Sequence, residues 1–141
     1  MRLKFPLLAL VLGLLFSATK CADNGAMNPA DVLDKKWMLQ SLAGQAIQLP
    51  EGAQSPWLQL AADESLSGFG GCNNLMGKYS LEGATISFPG VGSTKKFCES
   101  TRKIEDGFMG ALRDANSFKL DKGLLKLMQG DTELASFTGG K

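Results

Sequence analysis

Hydrophobic positions along this chain change their period more than once. Residues 5–16 form an unbroken apolar block. From residue 37 to 88 apolar residues come in short runs separated by glycine, proline and acid–glycine pairs, the signature of strands joined by turns. The runs are 37–42, 46–49, 57–60 (reaching 61), 66–71, 78–81 and 84–88. Within the last of these Ile86 and Phe88 share one face, and Thr85 and Ser87 take the other. Between 100 and 115 the period lengthens. Ile104, Phe108, Ala111, Leu112 and Ala115 recur at helical spacing, while Arg102, Lys103, Glu105, Asp106, Arg113 and Asp114 occupy other faces. This predicts an amphipathic helix with Ser100 as N-cap and the Glu105–Asp106 pair on its exposed side. Gly107 and Gly110 weaken that helix but allow close packing against a sheet. Three more strands follow at 117–120, 124–128 and 133–137, joined by turns at 121–123 and 129–132. Asn28 as N-cap, Pro29 and Asp31 predict a short helix running to about Lys35. The order predicts one α+β domain, mostly β and antiparallel. There is no internal repeat.

The apolar block at 5–16 follows the basic stretch Met1-Arg2-Leu3-Lys4 and precedes Ser17, Ala18 and Thr19, the layout of a secretory signal. Twelve helical residues would reach only about 18 Å, short of the roughly 30 Å of a bilayer core. Residues 1–20 are therefore expected to be a signal peptide, with the folded domain over 29–141. Cys21 then decides the product. Ala18-Thr19-Lys20-Cys21 matches a lipoprotein cleavage site in part: Lys20 stands where Gly, Ala or Ser is usual, and Ala18 where Leu is commonest. No A-x-A site for the ordinary peptidase lies nearby. Lipid attachment at Cys21 is the expectation, with 21–28 as a tether. Ordinary cleavage, leaving Cys21 free or removing it, is the alternative. Three cysteines suit the first reading. With Cys21 acylated, Cys72 and Cys98 remain to pair, and closing that loop would contribute about 3.5 kcal/mol.

Charge excludes a further class. Removing residues 1–20 leaves 12 of the 15 basic side chains against 14 acids, a net charge of −2. A nucleic-acid partner is not expected on that balance. The chain also has no histidine, which removes Ser-His-Asp and Cys-His catalysis and the commonest catalytic zinc ligand. Ser93-Thr94-Lys95-Lys96 and Ser100-Thr101-Arg102-Lys103 fit S-x-x-K, but the companion S-D-N and K-T-G motifs are missing. The 71–78 stretch fails as a phosphate loop, having five residues between its glycines and Tyr79 after Lys78. There Gly68, Gly70, Gly71 and Gly77 suit tight turns or close approach, and Asn73 and Asn74 suit local backbone bonds. Cys72 and Cys98 could instead be redox-active, but they form no C-x-x-C. Trp37, Trp57, Phe88, Phe108 and Phe137 read as core. No catalytic residue, cofactor site or metal site is expected.

Gly71-Cys72-Asn73 with Gly77 and Tyr79 resembles the G-C-N-x-x-x-G-x-Y signature of the META domain family, whose best-known type is the heat-shock protein HslJ. The likeness extends to Thr94 and Cys98, to Glu105, Phe108 and Leu112, and to the Trp37-x-Leu39 and Pro56-x-Leu58 segments. It covers about residues 29–137. Leu75 and Lys96-Phe97 depart from the usual pattern. The resemblance implies a strongly curved antiparallel sheet, a partly open barrel, packed by one long helix and a short N-terminal helix. It also implies an envelope protein tied to heat stress or antibiotic tolerance, with no catalytic residues to carry over. The expected protein is a monomer held to a membrane by lipid, at the outer membrane facing the periplasm or, alternatively, soluble there. It would bind an envelope protein or a hydrophobic ligand, or serve structurally. An inhibitor or pilot-like chaperone cupping a protein or acyl chain is the second reading, and a redox or hydrolytic enzyme the third.

Overall fold

The structure, a computed structural model, describes residues 28–140. The expected leader, Cys21 and the tether before residue 28 lie outside the described residues. A 3-10 turn, Pro29–Val32, opens the domain. Strands follow as β1 (Lys36–Leu42), β2 (Gln45–Ala46), β3 (Trp57–Leu60), β4 (Ser65–Phe69), β5 (Asn74–Lys78), β6 (Ser80–Glu82), β7 (Thr85–Ser87) and β8 (Gly92–Ser93). Helix α1 (Arg102–Asp114) precedes β9 (Ser117–Asp121), β10 (Leu124–Gln129) and β11 (Thr132–Gly139). All ladders between these strands are antiparallel, in the order β6-β7-β9-β10-β11-β1-β3-β4-β5-β8, with β2 beside β1. The result is a curved, near-closed sheet packed against one long helix and the short N-terminal turn.

Alternation makes the curve bury one face. Trp37 and Leu39 of β1, Leu58 and Leu60 of β3, Leu66 of β4, Leu75 of β5, Phe118 of β9, Leu125 and Leu127 of β10, and Ala135 and Phe137 of β11 are all buried. Helix α1 adds Phe108, Ala111 and Leu112 to the same cluster, its Phe108 ring standing 5.5 Å from that of Phe137. The register shifts between Leu39 and Ser41 on β1 and between Leu127 and Met128 on β10. Such extra residues bend and twist a strand, and here they help curl the sheet. Gly107 gives the helix its close approach: a Cβ there would lie 2.9 Å from Leu42 Cδ1.

Closure depends on Tyr79. β6 begins the strand order and β5 lies next to its end, yet both belong to one run of chain interrupted at this residue. The kink is held twice to the β3–β4 turn, the Tyr79 amide donating to Glu64 O at 3.1 Å and its hydroxyl to Ala61 O. Sequence periodicity misplaces this region. It ends one run at Gly71 and starts the next at Lys78, placing no strand between them, because Asn73, Asn74 and Gly77 are poor strand formers. The strand forms regardless, since Leu75 is 2% exposed and a Cβ on Gly77 would come within 3.1 Å of Val91 Cα.

Three boundaries also move. The N-terminal helix to Lys35 is only the 3-10 turn, ended by extended backbone at Leu33 and fastened by Trp37 Nε1 donating to Val32 O at 2.9 Å. The 46–49 strand shrinks to the Gln45–Ala46 pairing. The long helix is preceded by Thr101 rather than Ser100, without a side-chain capping bond.

Tyr79 is the only tyrosine in the chain, so its ionisation can be read directly. Burial, then the charges of Asp34, Glu64 and Asp63, raise its pKa above the ordinary value. A raised value means the neutral phenol favours the folded state. That contribution is complete below about pH 10, the unfolded value, and is lost as pH rises through the folded one. Phenolate absorbance should therefore rise only above the ordinary midpoint. Tyr79→Phe should abolish the signal and cost roughly 1 kcal/mol in urea unfolding. A midpoint at or below that of free tyrosine would contradict this.

Candidate functional site

The residues around Cys72 form the densest polar cluster described. Between β4 and β5 the chain makes a tight turn, with Gly70 N donating to Asn73 O at 2.9 Å and Gly71 at φ +119°. Glu105, in the first turn of α1, reaches into it. Its Oε2 accepts the backbone N–H groups of Cys72 at 3.0 Å and Asn73 at 2.7 Å, and its Oε1 accepts Asn73 Nδ2 at 2.6 Å. Hydrogen bonds to a carboxylate are roughly twice as strong as neutral ones. The approach demands glycine at position 70, where a Cβ would sit 2.7 Å from Glu105 Cγ and Oε2.

Asn73 is the hub. Its Oδ1 accepts from Thr94 Oγ1 at 2.9 Å and Lys96 N at 2.7 Å, and its Nδ2 also donates to Lys96 O at 3.1 Å. With the bond to Glu105, this uses the full capacity of one amide side chain, which is 5% exposed. Thr94 Oγ1 in turn accepts from Asn74 N at 3.1 Å, and Thr94 N donates to Asn74 O at 3.1 Å. The Cys72–Cys98 pair forms a disulfide, its Cα atoms 5.8 Å apart. The β4–β5 turn is thus fastened, at one end of the sheet, to residues 94–98 and the start of α1, which lie more than twenty positions further along the chain.

The motif residues divide. Gly71, Cys72, Asn73, Thr94 and Cys98 meet in this cluster, whereas Gly77 serves β5 and Tyr79 the seam. Cys21 lies outside the described residues. Glu105 corrects the sequence reading: Asp106 is exposed, paired with Arg102 at 3.6 Å, but Glu105 is half-buried and bonded inward. The signal was available. Glu105 stands three residues before Phe108 and seven before Leu112, on the core stripe, where a carboxylate requires donors. The S-x-x-K matches separate into ordinary roles: Ser93 lies in β8, Ser100 is exposed before the helix, and Lys96 contributes its backbone to Asn73. Thr101 Oγ1 is buried without a hydrogen-bond partner.

Among the described residues no group of three or more His, Cys, Asp or Glu could hold a metal ion. Among the described residues, hollows mark the surface in at least three places. One of about 500 Å³ lies between the 88–91 segment and Met109 and Arg113 of the helix. A second, about 130 Å³, adjoins the disulfide, Phe97 and Arg102. The third, about 260 Å³, lies where Leu42 and Leu134 meet Gly107 and Gly110.

Comparison with known proteins agrees with this geometry. The META domain model matches residues 30–140. The fold is similar to an NMR structure of a protein from Burkholderia xenovorans, 27% identical, with a TM-score of 0.64 over 81% of this chain and 89% of that one. It is also similar to a DUF4847 family protein from Bacteroides vulgatus ATCC 8482, 17% identical, with a TM-score of 0.55 over 78% of this chain and 95% of that one. The second likeness bears on fold alone. A search of curated proteins returns no match.

Glu105→Gln tests the cluster. Its NH₂ would face either the Cys72 and Asn73 amides or Asn73 Nδ2, donor against donor, and Asn73 cannot turn because Thr94 and Lys96 hold its oxygen. The expected loss in denaturant unfolding is about 2–3 kcal/mol, whereas Asp106→Asn should stay within about 0.5 kcal/mol. Equal effects from the two would contradict the arrangement.

Proposed function

Since the chain belongs to the META domain family, we propose that it works as a non-enzymatic lipoprotein of the bacterial envelope, of the HslJ type, held by Cys21 and acting as a stress-associated binding or structural module. The observation that carries this reading is how the motif's polar groups are used. The amide of Asn73, the hydroxyl of Thr94 and the carboxylate of Glu105 bond one another and the backbone. Such groups hold a fold together; a reactive site keeps a nucleophile or base free to meet substrate. In this reading residues 1–20 are the leader, the tether follows Cys21, and the Cys72–Cys98 pair is a structural bridge. A thiol-exchange role has the spacing of the pair against it, since Cys72 and Cys98 stand 26 positions apart and form no C-x-x-C.

A second reading, an inhibitor or pilot-like chaperone, draws support from the cleft beside Phe88, Val91, Met109 and Arg113. An apolar ligand or peptide would sit at that rim. The inside of the curve is filled by Phe108, Phe118, Phe137, Leu58 and Leu125.

Acyl-chain mass and cell fractionation test the leading reading together. Protein taken from membranes should begin at Cys21 with thioether-linked diacylglycerol and an N-acyl chain. Cys21→Ser should move it to the soluble fraction, and cells lacking the protein should survive heat less well. An unmodified Cys21 on membrane-bound protein would remove the anchor from the account. Unchanged heat survival would remove the stress role.

A further inference from the structure

Phe97 is 74% exposed, more than Met76 at 56%, the other large apolar side chain that stands out in solvent among the described residues. A ring displayed by a loose loop would carry little meaning. This one is fastened on both sides. The preceding residue, Lys96, has its N–H and its carbonyl both bonded to the buried amide of Asn73, and the following residue, Cys98, is bridged to Cys72. The most elaborate hydrogen-bonded cluster described therefore also fixes where an exposed phenylalanine stands.

The surroundings of that ring are basic. Lys95 and Lys96 precede it, and Arg102 and Lys103 follow, all exposed, with the Arg102 guanidinium 5.8 Å from the ring centre. Glu99 and Asp106 are the exposed acids of this stretch, since Glu105 is turned inward. Arg102 also pairs with Asp106 one turn on, at 3.6 Å, whereas a cation at Lys103 in the first turn opposes the helix dipole. From Cys21 onward the chain is net acidic, with 12 basic and 14 acidic side chains, which sets this tip apart.

We propose that the tip formed by Lys95, Lys96, Phe97, Arg102 and Lys103 is a membrane-contact element: Phe97 enters the headgroup region of an anionic phospholipid bilayer, and the cations pair with its phosphates. A projecting aromatic ringed by positive charge suits a deformable anionic surface. A protein partner would have to offer a ready-made apolar pocket bordered by acids. The tether is also longer than the strand that separates the chain's entry from the tip's end of the sheet. Asp34 N donates to Leu60 O, and Leu60 pairs with Leu66, so the chain enters at the Ser65 end of β4, opposite the Cys72 turn. β4 is about 17 Å long. The seven steps from Cys21 to Asn28 span up to about 25 Å. An acylated Cys21 and the tip can thus meet one bilayer. Only this last point rests on the lipid-anchor reading.

The test uses full-length protein purified from membranes, carrying Phe97→Trp and placed with vesicles of phosphatidylcholine alone or mixed equally with phosphatidylglycerol, both with brominated acyl chains. Wild-type protein, with Trp37 and Trp57, supplies the background. The introduced indole should shift to the blue and be quenched in the mixed vesicles only. Adding Lys95→Gln and Lys96→Gln should lower the ratio of docked to undocked tip about fivefold per cation removed. Equal quenching in both vesicle types overturns the proposal. So does quenching in neither, the outcome expected of a tip that docks on a protein. Whether Cys21 carries lipid is read separately from mass, so the two failures are distinguishable.

Discussion

One carboxylate meets three N–H groups, and the rest of this fold's organisation follows from that meeting. A single helix packed across a curved sheet can slide unless something fixes its start. Here Glu105 takes the amides of Cys72 and Asn73 and the side chain of Asn73 at 3.0, 2.7 and 2.6 Å. Helix and turn are thereby set in register. The requirement spreads outward: Gly70 must lack a side chain, and Asn73 must hold both its oxygen and its nitrogen in one orientation. The disulfide ties the remaining strap to the same turn. For a domain whose stability is typically 5–15 kcal/mol, losing such a group of bonds would be a large fraction.

The opposite end of the sheet is managed differently. A curled antiparallel sheet must protect its edges. This one does so by letting β5 turn at Tyr79 and continue as β6, so that one stretch of chain serves near both ends of the strand order. The hydroxyl of Tyr79 holds that kink to Ala61. Between the polar cluster and the tyrosine lies an interior of Phe108, Phe118, Phe137 and their leucine neighbours. Gly71, Cys72 and Asn73 on one side, and Gly77 and Tyr79 on the other, are thus one sequence motif doing two mechanical jobs.

Much of this was legible in the sequence because it rests on local periodicity. The helix stripe of Phe108, Ala111 and Leu112 and the closing strands β9, β10 and β11 follow directly from spacing. What escaped depends on contacts far apart in the chain. β5 is a strand because its neighbours on both sides bury Leu75 and pair with it, and no propensity of Asn74 or Gly77 announces that. Asn73 looks like a turn residue bonding its own neighbourhood, yet its partners are 21, 23 and 32 positions away. Glu105 looks like surface charge because carboxylates usually are. Its place on the apolar stripe was the clue. Family resemblance located the right residues without saying what physical work they do.

If the motif's main task is mechanical, action must come from surfaces that the cluster positions, such as the Phe97 tip or the cleft beside Met109 and Arg113. Native-state hydrogen exchange at the Cys72 and Asn73 amides is the most direct test of that premise. Protection comparable to the amides of β10 and β11, collapsing when Glu105 is replaced by Gln while those strands stay protected, is the expected result. Exchange of the two amides at the rate of an open loop in the unaltered protein would contradict it.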